Sequence, residues 1–283
     1  MQLLLEQASW LGLGLGLGLG LGLGLGLGLA NPNPNPNQAS ADANDKTVHG
    51  LPLLVHAISS GQESLAELLV QHGASVDAVD GGSAPVLLAS QAGSLRLLQA
   101  LIQKGASLTA ASEQGVTPLM VLSASGSVGG IKLIAEALKT EPLVLASVVD
   151  ATTENRTSAL HIAARQAHVR AVGALLTAGA AVATLDLLGQ TALGAAFDGL
   201  QAVAKYVEEA LQEYATTADR KLGNDMLARA AAAHIEVMEL LLAKGSEPSL
   251  VDNNGDTVDA NTIVQMYKAL SRGGDAAPGH DEL

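Results

Sequence analysis

The sequence predicts an all-α fold: a solenoid of about six helix–turn–helix repeats with short hairpin loops, behind a low-complexity N-terminal leader. Three observations predict it. Glycines recur in phase, with Gly50, Gly82 and Gly115 standing 32 and 33 residues apart, and Gly189 and Gly255 continuing the series at two-unit steps. Between them lie Ala- and Leu-rich stretches long enough for helix pairs. Only five residues of 283 are aromatic. A core without rings suits closely stacked helices better than a sandwich or barrel.

The chain opens on MQLLLEQASW, which has no Lys or Arg and one acid, Glu6. Residues 11–29 then alternate Leu and Gly without a break, ten leucines and nine glycines. Period-two alternation ordinarily marks a half-buried strand, but so much entropically costly glycine makes a poor piece of a folded domain. The run is uncharged and ends at Gly28-Leu29-Ala30, small residues at the third-last and last places before a cut, so residues 1–30 read as a signal peptide. An uncleaved signal anchor is the alternative, since as a helix the run would span about 28 Å at ~1.5 Å per residue. A third reading is an inert low-complexity expansion. Residues 31–43 follow as an Asn-Pro spacer, where each proline removes a donor and extends the residue before it.

The repeat domain is expected over 44–271. Gly50, Gly82, Gly115 and Gly189 open units, and the unit between the last two opens at Arg156, where the glycine is missing. A second series, Gly73, Gly105, Gly179 and Gly245, closes second helices in the left-handed conformation that glycine takes without strain. Leu65, Leu68 and Leu69, and Leu95, Leu98, Leu101 and Ile102, give those helices one apolar stripe each. No single unit can bury its stripe, whereas stacked units bury a continuous one.

The recurring phrases are Thr117-Pro118-Leu119, Ser158-Ala159-Leu160-His161-Ile162-Ala163-Ala164 and Thr191-Ala192-Leu193, and a closing phrase of the form Leu-Leu-x-x-Gly-Ala recurs as LLVQHGA (68–74), LIQKGA (101–106), LLTAGA (175–180) and LLAKGS (241–246). In phrase and period this resembles the ankyrin repeat over roughly residues 44–270. Several units depart from the pattern. Pro52 sits one place early. Residues 140–154 contain an insertion that should lengthen a loop or helix end. The fifth unit lacks a closing glycine, so residues 200–215 should run on as a longer helix. The sixth has lost its hairpin glycine and Thr-Pro phrase, and residues 252–270 begin a seventh unit that reads as a C-terminal cap.

Charge and chemistry narrow the function. A net charge of −13 repels phosphate backbones and argues against nucleic-acid binding. The absence of cysteine excludes disulfides and thiol chemistry. Asp252, Asn254 and Asp256 mimic the start of a calcium loop, but Thr257 and Ile263 stand where that loop needs glycine and glutamate. His161 and His168, seven apart and read as lying on one helix, are too distant to share a metal ion directly, and the resemblance makes His161 structural. No metal or cofactor is expected, and no catalytic constellation or phosphate loop is present, so the chain is not expected to be an enzyme.

The resemblance implies a protein–protein interaction scaffold, with an unidentified protein partner contacting hairpin tips and the exposed face of each first helix. Those positions are Glu113, Gln114, Val116, Glu154, Asn155, Thr157, Leu188 and Gln190 at the tips. On the helices they are Ser59, Ser60, Gln91, Ala92, Ala124, Ser125, Arg165, Gln166 and Asp198. Residues 272–283 form a flexible tail ending in His280-Asp281-Glu282-Leu283, which reads as an endoplasmic-reticulum retention signal. With the leader it places the scaffold, as a monomer, in that lumen, with membrane contact only if the leader stays uncleaved. Asn155-Arg156-Thr157 is then a glycosylation sequon at Asn155. Two alternatives stand: a cytosolic ankyrin adaptor with an incidental terminal tetrapeptide, and an acidic luminal ion buffer.

Overall fold

The computed structural model describes residues 42–47, 50–78, 84–211, 217–251 and 257–271. The leader, most of the Asn-Pro spacer, the calcium-like Asp252, Asn254 and Asp256, and the tail with its terminal tetrapeptide lie outside the described residues. The chain divides into two compact units, Met1–Glu113 and Gln114–Leu283.

The first unit holds two helix pairs: α1 (Leu53–Ser59) with α2 (Glu63–Gln71), and α3 (Pro85–Gln91) with α4 (Leu95–Gln103). The pairs stack α1 on α3 and α2 on α4. Ser94 caps α4, its hydroxyl accepting from the Leu97 amide at 3.2 Å. At the other end Gly105 takes φ +82°. Its N–H reaches Ile102 O at 3.0 Å and the Ala106 N–H reaches Leu101 O at 3.0 Å, satisfying carbonyls the helix would otherwise leave open. The core is aliphatic, with Leu54, Val86, Leu97, Leu98 and Leu101 almost wholly buried. In the stripe read for α4, Leu98 and Leu101 are inside as expected, but Leu97 takes the inner place and Leu95 is 40% exposed. Leu95 is the first residue of α4.

The second unit opens with α5 (Pro118–Ala124) and α6 (Val128–Ala137), followed by α7 (Pro142–Val149), then α8 (Ala159–Arg165) and α9 (Val169–Thr177). First helices stack on first helices, α5 on α8, and second on second, α6 on α9. The insertion at 140–154 is not a stretched loop or helix end but mainly a helix of its own. Leu138 stands where the other repeats place a closing glycine, and Pro142 at the first position of α7 starts a new helix because proline cannot continue the old one.

Beyond this the helix–turn–helix rhythm changes. The fifth unit is one continuous helix, α10 (Ala192–Leu211), and the sixth another, α11 (Thr217–Ala243). The turn between first and second helices elsewhere depends on a left-handed residue: Gly61, Gly93, Gly126 or Ala167. Leu200 and Ala233 fall at the corresponding places and stay helical, and Leu200 is buried. A leucine at positive φ would be strained and would give up that burial. The helix therefore continues through this place to Leu211, as the missing closing glycine of the fifth unit led one to expect, while residues 212–215 lie outside the described residues.

The long helices pack on each other, α11 also touches α8 and α9, and Gly199 leaves room for the Arg165 carbonyl and the His234 ring against α10. The seventh unit is a hairpin of β1 (Ser249–Val251) and β2 (Thr257–Asp259), antiparallel with Leu250 opposite Val258, and one helix, α12 (Ala260–Ser271), which packs on α11. Among the described residues these are the only strands longer than an isolated bridge, and the fold is the expected all-α repeat stack.

Candidate functional site

The hairpins carry the exposed positions that the sequence singles out. In the second unit successive tips are joined edge to edge: the Glu154 N–H donates to Gln114 O at 3.3 Å and the Leu187 N–H to Asn155 O at 3.1 Å. Arg156, standing for the missing glycine, takes φ +57° and closes its turn through its N–H to Thr153 O at 2.8 Å. Glu154 and Asn155 are exposed, while Thr157 and Val116 are half-buried.

The tip of the fifth unit is the most distinctive. Asp186 is buried, and its Oδ1 accepts from the Leu188 N–H at 2.8 Å and the Gln190 N–H at 3.0 Å. That fold turns Leu187 and Leu188 outward, 61% and 76% exposed, beside the part-exposed Leu185. Sequence reasoning named Leu188 and missed Leu187 and Leu185. The signal was available as the run Leu185-Asp186-Leu187-Leu188 at a hairpin, where an apolar pair cannot reach the helical core.

His161 locks this tip to the fourth repeat. Its Nε2–H donates to Gln190 O at 3.1 Å, so Nδ1 is the acceptor for the Ser158 hydroxyl at 2.7 Å. Burial, the largest cause, holds this imidazole below the ordinary histidine range, outweighing the Gln190 carbonyl and the Asp186 charge that pull the other way. His161 is thus a structural histidine. His168 lies beyond a turn as the residue before α9, not on the same helix as His161, and its Nε2 faces Ala124 O at 3.0 Å. His234 of α11 donates from Nε2 to Arg165 O at 3.2 Å; burial lowers its pKa too, and its Nδ1 has no partner. Among the described residues no three His, Asp or Glu side chains gather as they would around a metal ion.

On the first-helix face the structure joins three of the predicted positions. Arg165 donates to Asp198 Oδ2 at 3.2 Å, and Gln190 Nε2 to Asp198 Oδ1 at 3.3 Å. Gln166 turns to His168 at 3.1 Å, and Ser125 is exposed. Ser59, Ser60, Gln91, Ala92 and Glu113 are exposed in the first unit and not drawn into one cluster there.

A feature missed in the sequence joins residues 30 or 31 positions apart. Ser75 N–H donates to Asn44 Oδ1 at 2.7 Å, Ser107 N–H to Asp77 Oδ1 at 2.8 Å and Ala181 N–H to Asp150 Oδ1 at 2.9 Å. Each carboxylate or amide before one hairpin clasps the backbone just past the next closing glycine. The short acceptor side chains at 44, 77 and 150 were visible, but their donors are backbone groups that sequence does not distinguish.

Among the described residues no helix is long and apolar enough to cross a membrane. A search of the curated proteins finds no match. Residues 54–144 match the family model for ankyrin repeats (3 copies). Such repeats are typically non-catalytic modules that bind other proteins, and the same helix pairs, left-handed turns and linked hairpins continue through residues 154–180. On this match residues 54–144 are ankyrin repeats, and the fold carries the same geometry on through residue 180.

Proposed function

We propose that this ankyrin-repeat chain is a scaffold of the endoplasmic-reticulum lumen that holds another secretory-pathway protein through the hairpin tips of its second unit. The observation carrying the binding mode is the apolar tip. Asp186 spends two hydrogen bonds to hold Leu187 and Leu188 in water, and large apolar side chains kept outside a core mark contact surfaces. The tips joined on either side add the polar groups of Glu154, Asn155 and Gln190, which would set orientation. The luminal placement rests on the Leu-Gly leader and on His280-Asp281-Glu282-Leu283, with the Asn155 sequon in keeping. A glycan on Asn155 would stand beside Leu187, whose N–H meets the Asn155 carbonyl.

The test is protease protection of microsomes from cells expressing the chain tagged in the 31–43 spacer, with a photocrosslinking residue at position 154 on the adjoining tip. A tag protected until detergent is added, with one adduct that the Leu187→Ser/Leu188→Ser variant loses, is the expected result. That variant should keep its stability to within about 0.5 kcal/mol, as substitutions at exposed sites do. Digestion without detergent would make the chain a cytosolic adaptor. An adduct indifferent to the double variant would remove the tip from the binding surface. Asn155→Gln should abolish a glycan-dependent gel shift.

A further inference from the structure

The second unit carries another candidate surface, on the side of its second helices. A groove of about 910 Å³ runs between α6 and α9, with Leu145 of α7 in its wall. Leu133, Gly173 and Ala174 line it half-buried, and Lys132, Lys139 and Arg170 stand exposed along it. Lys139 is paired with Glu136 at 3.1 Å, whereas among the described residues neither Lys132 nor Arg170 has a carboxylate partner. On a chain of net charge −13, an apolar groove edged by two unpaired cations is a local reversal of sign.

Gly173 adds a separate observation. It lies inside α9 with no left-handed φ, and a Cβ placed on it would meet nothing within 4 Å. The fold therefore does not need glycine there, although glycine is among the poorest helix formers. What the missing side chain provides is closer approach from outside.

We propose that this groove takes one amphipathic helix of a partner protein, with acidic residues flanking its apolar stripe. The lining residues recur at helical spacing, Val128, Lys132 and Glu136 on α6 and Arg170, Ala174 and Thr177 on α9, so two ridges frame a channel of the kind a third helix can enter. Leu133, Ala174 and Leu145 meet the apolar stripe, and Lys132 and Arg170 meet carboxylates. This surface shares no residue with the hairpin tips.

The probe is a fluorescein-labelled helical peptide of about four turns, leucines along one stripe and glutamates on both sides, titrated against the full chain by anisotropy. Binding should weaken at least about tenfold in Lys132→Glu/Arg170→Glu and persist in Lys132→Arg/Arg170→Lys. Gly173→Leu should fill the groove and weaken binding as much, without lowering Tm. The Leu187→Ser/Leu188→Ser variant should bind the peptide unchanged, which separates this site from the tip. Absence of binding, equal affinity for a peptide with glutamine at every glutamate, or a Gly173→Leu variant that binds like the unaltered chain would each overturn the proposal.

Discussion

The turn between the paired helices offers a reciprocal experiment. Gly126 and Ala167 occupy the same place in neighbouring repeats, at φ +65° and +55°. Ala167 pays the left-handed strain of an L-residue, about 1–2 kcal/mol, partly offset because alanine has less freedom to lose on folding, about 0.5–1 kcal/mol. Ala167→Gly should therefore stabilise the chain by roughly 0.5–1 kcal/mol. Gly126→Ala carries the same strain and a steric penalty besides. A Cβ at position 126 would lie 2.9 Å from His168 Nδ1, so the ring must shift and loosen its 3.0 Å hydrogen bond to Ala124 O. A lost bond of this kind costs about 0.5–1.5 kcal/mol, giving a total near 1–2.5 kcal/mol. Urea unfolding followed by circular dichroism measures both. The reasoning is refuted if Ala167→Gly destabilises, or if Gly126→Ala costs no more than Ala167→Gly gains. Gly126→Ala in a His168→Ala background should lose the steric part and keep the strain.

Two further predictions follow from the buried histidines and the inter-repeat clasps. His161 and His234 have folded pKa values below their unfolded 6.5, so between those values the unfolded chain binds more protons than the folded one. Stability is complete above pH 6.5 and declines as pH falls through that window; Tm should drop between about pH 7.5 and pH 5.5, and a flat profile would contradict the burial of both rings. Asp150→Ala leaves the Ala181 amide without its acceptor and should cost about 1 kcal/mol, with Asp150→Asn recovering most of it. A thermal melt unchanged in the alanine variant would show the clasp to be idle.

How far the molecule could be read from its residues differs from one repeat to the next. The third-unit phrase Thr117-Pro118-Leu119 was legible because each residue acts locally. Thr117 caps α5, proline fits the first helical position, and a closing glycine such as Gly105 is required by its own dihedral angle. The continuous α10 and α11 were only half legible, because their cause is an absence: no residue near Leu200 or Ala233 makes the turn. Leu95 shows the limit of periodicity, since helical spacing fits it as well as Leu97 and only the neighbouring helix decides which is buried.

The binding surfaces divide in the same way. Exposed hairpin positions such as Glu154 and Asn155 follow from the repeat register, and the sequence by itself determined that register, the helix pairs and the aliphatic core, because caps, turns and apolar stripes are written in adjacent residues. Tertiary structure alone decided that Arg165, Gln190 and Asp198 converge, that Asp186 is buried to hold Leu187 and Leu188 outward, and that the insertion helix α7 helps wall a groove beside α6 and α9. Those arrangements depend on contacts between residues tens of positions apart, and the spacing of a repeat does not specify which side chains meet across it.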